Sequence, residues 1–398
     1  MGEKRTVYMD HSATTYVRKD VLDAMIPYFA ERFGNPSSIY HIARDSKQAI
    51  DTAREQVAAA LGAESDEIYF TSGGSESDNW AIKGIAYANR KTGNHIITTK
   101  IEHHAVLRTC ECLEKEGFAV TYLPVDNYGF VNPADLENAI TERTILISIM
   151  YANNEVGTIE PVAVLGAIAR KHEIPFHTDA VQAIGNIKID VNAQNIDLLS
   201  LSAHKFYGPK GIGALYIRKG TKIENLIHGG GQERRRRAGT ENIAGIVGLG
   251  KAIEIATGDI EGHNNRIGAL RDRLLTGILE TIPNVHLNGH PENRLPGNIN
   301  ISFEFIEGES MLLWLDEEGI CASTGSACTS GSLEPSHVLM ATGLPVEMSH
   351  GSLRLTLGDA NTDADVDFVL SVLPKVVSRL REMSPLYNGG KKGGYNVQ

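Results

Sequence analysis

Cysteine is scarce in this chain. There are four in 398 residues, Cys110, Cys112, Cys321 and Cys328. None forms a C-x-x-C pair, and no paired zinc spacing occurs, so no metal site is expected. Cys110 and Cys112 fall in a helical pattern, where residues two apart face different sides, which argues against a shared ligand pair. In a reducing compartment all four are expected as free thiols. Long apolar runs are also missing. None approaches the roughly 18 residues that span a bilayer, so no membrane partner is expected. The N-terminal Met-Gly-Glu-Lys-Arg leads directly into a strand-like segment, with no signal-peptide apolar core, and a cytoplasmic location is the default expectation. Gly2 matches the myristoylation pattern only loosely. Basic residues are outnumbered, 38 against 49 acidic, for a net charge of −11. That balance is poorly suited to non-specific binding of a nucleic-acid backbone. Neither the Gly-Lys-Ser/Thr of a Walker loop nor the G-x-G-x-x-G spacing of a dinucleotide fold is present, and no internal repeat is visible.

What is present is an ordinary globular balance, 42% hydrophobic and 22% charged, in a chain too long for one small core. Apolar strand-like runs alternate with helical patterns from about residue 67 to residue 217. The strand-like runs include Glu67–Phe70, His95–Thr99, Ala119–Leu123, Thr144–Met150, Ile174–Thr178, Asp197–Ser200 and Gly213–Ile217. This predicts an α/β fold, a mostly parallel sheet covered by helices on both faces. Before it, Val21–Phe33 reads as one helix and Ile42–Leu61 as another. After it come helices over Glu241–Ile255 and Asn264–Ile282, then alternation on a smaller scale, which predicts a smaller α+β domain. The expected division is a large domain over 15–257, a small domain from 1–14 and 258–387, and a flexible tail over 388–398 with linker composition.

Three features could carry chemistry. Thr71-Ser-Gly-Gly-Ser-Glu-Ser77 lies between a strand and a helix start, a place that suits a phosphate but equally an ordinary N-cap. Asp179 follows a strand at the carboxyl edge of the expected sheet, where ligands usually sit; an N-capping role fits as well. Lys205 stands at a strand-to-turn boundary in Ser200-Leu-Ser-Ala-His-Lys205, and a lysine near a core is either paired, chemically used, or in fact at the surface. Together the three match what a pyridoxal phosphate site requires: a phosphate-holding helix start, an acid for the pyridine nitrogen and a lysine for a Schiff base.

The chain resembles the cysteine desulfurases of the nitrogen-fixation and iron–sulfur-assembly type (NifS/IscS), which belong to the class-V, fold type I pyridoxal phosphate enzymes. The resemblance runs from Tyr8-Met-Asp-His-Ser-Ala-Thr-Thr15 to Leu353-Arg-Leu-Thr-Leu-Gly358. It is carried most by Thr71–Asn79, Glu102-His103, Asn153-Asn-Glu-Val-Gly157, His177–Gln182, Ser202-Ala-His-Lys205 and Ser323–Gly331. It implies that Lys205 holds the cofactor covalently, Asp179 faces the pyridine nitrogen and Gln182 the ring hydroxyl. His103 would stack on the ring and shuttle protons. Gly74, Ser75, Ser202 and His204 would hold the phosphate, with Ser75 where the family commonly has Thr. Asn154 and Arg354 would bind the substrate, L-cysteine, whose carboxylate suits the planar fork of an arginine. Cys328 would take the sulfur as a persulfide, releasing alanine. It sits in Gly325-Ser-Ala-Cys-Thr-Ser-Gly331, a run of small residues, whereas a core cysteine would have apolar neighbours. Cys321, in a strand-like run, reads as a packed spectator.

The arginine tract Arg234–Arg237 invites a nucleic-acid reading, but charge runs are usually solvated surface. The resemblance instead implies a homodimer, with Thr240 reaching the partner's cofactor phosphate. It implies a sulfur-acceptor protein as partner, such as an iron–sulfur scaffold, without identifying it. The competing functions are selenocysteine lyase, another fold type I reaction such as an aminotransferase, and a non-catalytic sulfur or iron–sulfur carrier. Lys205 and Asp179 speak against the last.

Overall fold

The computed structural model describes residues 5–324, 335–385 and 387. The chain enters through a short strand, β1 (Val7–Tyr8), and three helices, α1 (Lys19–Met25), α2 (Pro27–Ala30) and α3 (His41–Leu61). It then alternates through β2 (Ile68–Thr71), α4 (Gly74–Asn89), β3 (His95–Thr99), α5 (His104–Lys115), β4 (Ala119–Leu123), α6 (Pro133–Ala139), β5 (Thr144–Ser148), α7 (Val162–Lys171) and β6 (Phe176–Asp179). Two strands follow, β7 (Leu198–Ser202) and β8 (Gly213–Ile217), then a short turn α8 (Gln232–Arg235) and the long helices α9 (Ile243–Gly258) and α10 (Ile260–Thr281). The remainder is β9 (Val285–Leu287), β10 (Asn298–Phe303), α11 (Gly308–Glu317), β11 (Ile320–Cys321), α12 (His337–Ala341), α13 (Val346–His350), β12 (Ser352–Thr356) and α14 (Asp363–Met383).

Seven strands form the main sheet, in the order β2-β8-β7-β6-β5-β3-β4. The neighbours from β7 to β4 are all parallel, and β8 alone runs antiparallel to both β7 and β2. This order sets up the site. Six strands end at one edge of the sheet, so the segments after Thr71, Thr99, Ser148, Asp179 and Ser202 leave from the same side, where α/β folds collect their ligands.

The strands are apolar because both faces are covered. One face packs against α3 and α9 through Val57, Leu61, Leu249 and Ile253, and the other against α4 and α5 through Trp80, Ile82, Ile85 and Leu113. A separate apolar cluster surrounds the sheet β12-β10-β9, joining Ile299, Phe303, Leu353, Leu373 and Val377 to Val7 and Met9. The N-terminal strand β1 pairs in parallel with β11, so the chain's start packs with its C-terminal third.

Three expectations change. The single helix over 21–33 is two, because Pro27 opens α2 and has no N–H to continue α1. The connector helix starts earlier, at Ile260, where the Asp259 carboxylate accepts the Gly262 N–H at 2.9 Å and caps it. Asp179 is the last residue of β6 and not the one after it.

The arginine tract is only partly solvated. Glu233, Arg234 and Arg235 all have positive φ, at 45°, 54° and 66°, a costly run for residues with a Cβ. Buried contacts hold it. Arg54 grips both Glu233 oxygens at 2.8 Å, and the Phe70 N–H donates to the same carboxylate at 3.0 Å. Arg237 forms a second two-pronged pair with Glu76, at 2.8 and 3.0 Å. Arg234 donates to the Ile68 and Asp66 carbonyls. Arg54→Met strands a buried carboxylate, and a loss of about 3 kcal/mol is expected in chemical unfolding. Unfolding at wild-type denaturant concentrations would show that the pair does not hold this turn.

Candidate active site

The phosphate-like position is built by β2 and α4. Gly73 adopts φ 153°, a conformation that side chains rarely take. A Cβ on Gly74 would stand 2.8 Å from Val181 Cγ2, so the helix start can lie close against the segment after β6 only without one. Thr71 Oγ1 and Ser77 Oγ, 2.8 Å apart, fix the turn from within. Gly74 and Ser75 thus open a 16-residue helix, and Ser75 is exposed. The Ser202 side chain, from the end of β7, lies beside both glycines.

Lys205 ends a short 3-10 turn, Ala203–Lys205, directly after β7. Its Nζ donates to the Ser12 carbonyl at 2.5 Å and the Ala13 carbonyl at 2.8 Å. Gln182 Nε2 donates to the same Ser12 carbonyl at 3.0 Å. His204 Nδ1 lies 3.1 Å from Thr14 Oγ1, and Thr15 Oγ1 donates to the His204 carbonyl at 2.9 Å. The N-terminal segment 12–15 is therefore laid along the lysine, which joins the small C-terminal core to the main sheet at this point.

The lysine's charge reaches three other groups. Burial pushes the Asp179 carboxyl up, while the Val181 N–H and the Lys205 charge pull it back towards the ionised form. Burial lowers His103 to about 4, helped by Lys205 and His104. Burial also lowers His204 to about 4, helped by Lys205 and Lys210. Both histidines are thus neutral at ordinary pH. His103 Nδ1 accepts the Ala105 N–H at 3.1 Å as the N-cap of α5, so the neutral ring carries its proton on Nε2. Beneath it lies Glu102, fully buried, which accepts from Thr99 Oγ1 at 2.7 Å and the Met150 N–H at 3.0 Å; burial pushes it up to about 8.

Arg354, on β12, is 1% exposed. Its Nη1 donates to the Asn154 carbonyl at 3.0 Å and its Nη2 to Asp10 Oδ1 at 2.8 Å. Its Nε is buried with no hydrogen-bond partner among the described residues, an orphaned donor at the place where a substrate carboxylate is expected. The structure joins Arg354 to the backbone of Asn154. Asp10 was not foreseen as its counter-ion; the sign was an acid at the end of a strand within Tyr8-Met-Asp-His.

One expected residue stands apart, and another is not described. Thr240 is exposed, beyond the arginine pairs. Cys328 and its run from 325 to 334, like the tail 388–398, lie outside the described residues. On the described sides of that run, Ser323 exchanges two backbone hydrogen bonds with Arg354, and the Ser336 hydroxyl donates to the buried Glu155. Among the described residues no cluster of ligating side chains could hold a metal ion, and no helix is long and apolar enough to cross a membrane.

These residues fit pyridoxal phosphate. The helix start with Cβ-free Gly73 and Gly74 leaves room and N–H groups for a phosphate. The carboxyl of Asp179, at the end of β6, suits a protonated ring nitrogen, and Lys205 supplies the amine.

The chain matches the class-V aminotransferase family over residues 7–369. It is 66% identical over 384 residues to a cysteine desulfurase IscS of Methanosarcina thermophila, covering 96% of this chain and 95% of that protein. Among solved structures, it aligns with a NifS-like protein at a TM-score of 0.89 and 41% identity, over 94% of this chain and all of the other. It also aligns with SspA in complex with cysteine, at a TM-score of 0.80 and 41% identity, over 90% of this chain and all of that one.

Proposed function

The chain belongs to the class-V aminotransferases and, among them, to the cysteine desulfurases, and on that premise we propose how its own residues divide the work. It is a pyridoxal phosphate enzyme that converts L-cysteine to L-alanine and keeps the sulfur for transfer, and iron–sulfur cluster assembly is the use its family implies. When bound, the cofactor supplies an electron sink that accepts the charge left as a substrate bond opens. Gly74, Ser75, Ser202 and His204 hold its phosphate, with Thr240 of a second copy, and Lys205 holds it covalently. Asp179 keeps a negative charge against the pyridine nitrogen, and Gln182 donates to the ring hydroxyl. The observation that carries this reading is the sheet edge itself: Asp179 ends β6, Lys205 follows β7, and the Gly73-Gly74 turn after β2 lies against the Ser202 side chain.

Arg354 and Asn154 receive the substrate carboxylate, which meets the orphaned Nε. His103 hands on a proton from Nε2. Cys328 takes the sulfur, which splits one difficult cleavage into two easier steps. A side-by-side assay of alanine released from cysteine, from selenocysteine, and of amino transfer to a keto acid tests the reading. Cysteine as the preferred substrate supports it; transfer to the keto acid as the main reaction refutes it. Arg354→Lys keeps the charge but loses the fork, so steady-state kinetics should show KM for cysteine raised about tenfold or more with kcat changed less.

A second copy of this chain is the expected partner. Ile26, Phe29, Phe33, Ile39 and Tyr40, all half or more exposed, lie between the end of α1 and the start of α3, and exposed large apolar side chains of this kind suit an interface. We place the protein in the cytoplasm, with a sulfur-acceptor protein such as an iron–sulfur scaffold as a further partner. We further assign residues 15–257 to the cofactor-binding domain and residues 1–14 with 258–387 to a smaller one, supported by the separate apolar cluster that joins Val7 and Met9 to the C-terminal third.

A further inference from the structure

Beneath Asp179 lies a cluster of buried polar side chains between α4 and the sheet. His177 and Asp179 are two apart on β6 and so share a face. On that face His177 Nδ1 lies 2.8 Å from Ser148 Oγ of β5, and Nε2 lies 2.9 Å from Ser200 Oγ of β7. Ser200 is the register partner of Asp179. Asp78 descends into this cluster from α4, one turn beyond Gly74 and Ser75. It is 1% exposed, its Oδ1 has no hydrogen-bond partner among the described residues, and that oxygen is 3.7 Å from His177 Nε2.

The contact with His177 is not an ion pair. His177 is fully buried and lowered to about 3, so it is neutral. Asp78 is pushed well up, first by burial, then by the charge of Asp179, with Glu102 adding and the Ser200 hydroxyl opposing. The two charged groups acting on Asp78 are thus both acids. Asp179 differs, since the Val181 N–H and the Lys205 charge both favour its ionised form. Two buried carboxylates in one such cluster cannot both ionise cheaply, and their surroundings push them apart.

We propose that Asp78 is a positioning residue for the cofactor's ring nitrogen: it holds the carboxyl proton of the pair it forms with Asp179, and so leaves Asp179 as the member of that pair whose charge faces the ring. This rests on Asp179 pairing with the pyridine nitrogen, as proposed above. The consequence is a nitrogen whose protonation withstands changes of pH until Asp78 itself ionises. A second charge would then enter the cluster.

The test uses Asp78→Asn, which is isosteric and permanently neutral, in two arms. The first is the melting temperature of the cofactor-free full chain against pH. An acid raised by folding costs stability once the unfolded chain ionises, so the penalty grows as pH rises above about 4 and is absent below it. Asp78→Asn removes that penalty. It should melt with the wild type at about pH 4 and above it, by about 2 °C or more, at about pH 8. A variant less stable by the same margin at both pH values overturns the proposal, because Asp78 would then be an ordinary polar contact. The second arm is the visible absorbance of the loaded enzyme. The wild type should show an alkaline shift that Asp78→Asn loses, and the same shift in the variant overturns the link to the ring. Asp179→Asn serves as control. If it leaves the spectrum untouched, the assignment of Asp179 fails and with it the link to the ring, while the melting arm still decides who holds the proton.

Discussion

Lys205→Ala is expected to purify colourless, without the visible absorbance of covalently held pyridoxal phosphate, and to lose cysteine turnover by about a thousandfold or more. The reason is chemical. Lys205 follows β7 at the edge where six strands of the main sheet end and where Asp179 ends the neighbouring β6. The substitution also removes the hydrogen bonds to Ser12 and Ala13, so a loss of colour alone could reflect a loosened N-terminal segment. Lys205→Arg separates the two effects. It restores a cation and donors but cannot form a Schiff base. It should recover melting temperature towards the wild type and remain colourless. A coloured, active Lys205→Arg would show that the covalent link lies elsewhere.

Cys328→Ala is expected to keep the cofactor's absorbance and its change on adding cysteine, yet release no alanine. The remaining thiols explain why none should substitute. Burial pushes Cys110 up to about 12, and the nearby acids Glu102, Glu114 and Glu111 add to it. Cys321 is raised by burial, then by Asp316 and Asp10. A thiol held in its protonated form is a poor nucleophile. Cys112 lies on α5, where its thiol is 3.8 Å from Glu116 Oε1. Cys321→Ala is the comparison and should retain most of the turnover. Alanine formation by Cys328→Ala at the wild-type rate would move the nucleophile to one of these three.

Much of this was legible in the chain. The alternation of apolar runs and helices gave the parallel sheet, because strands covered on both faces must be apolar along their length. Lys205, Asp179 and the Gly73-Gly74 turn could be read as a set, since a phosphate, a ring nitrogen and an aldehyde each demand a residue type. What pattern could not reveal were contacts across the fold. Asp10 and Arg354 are 344 positions apart and meet only because β1 packs with the C-terminal strands. Glu233, next to the arginine run, is the buried partner of Arg54, and nothing local in the chain marks that pairing. The burial of Asp78 beside His177 depends on which face of α4 lies on the sheet.

The most direct test is mass analysis of the wild-type protein after treatment with L-cysteine, with alanine measured in the same sample. The account predicts one added sulfur on the peptide that contains Cys328 and one alanine per sulfur. Alanine released without that added sulfur, or sulfur found on Cys110, Cys112 or Cys321 instead, would contradict it.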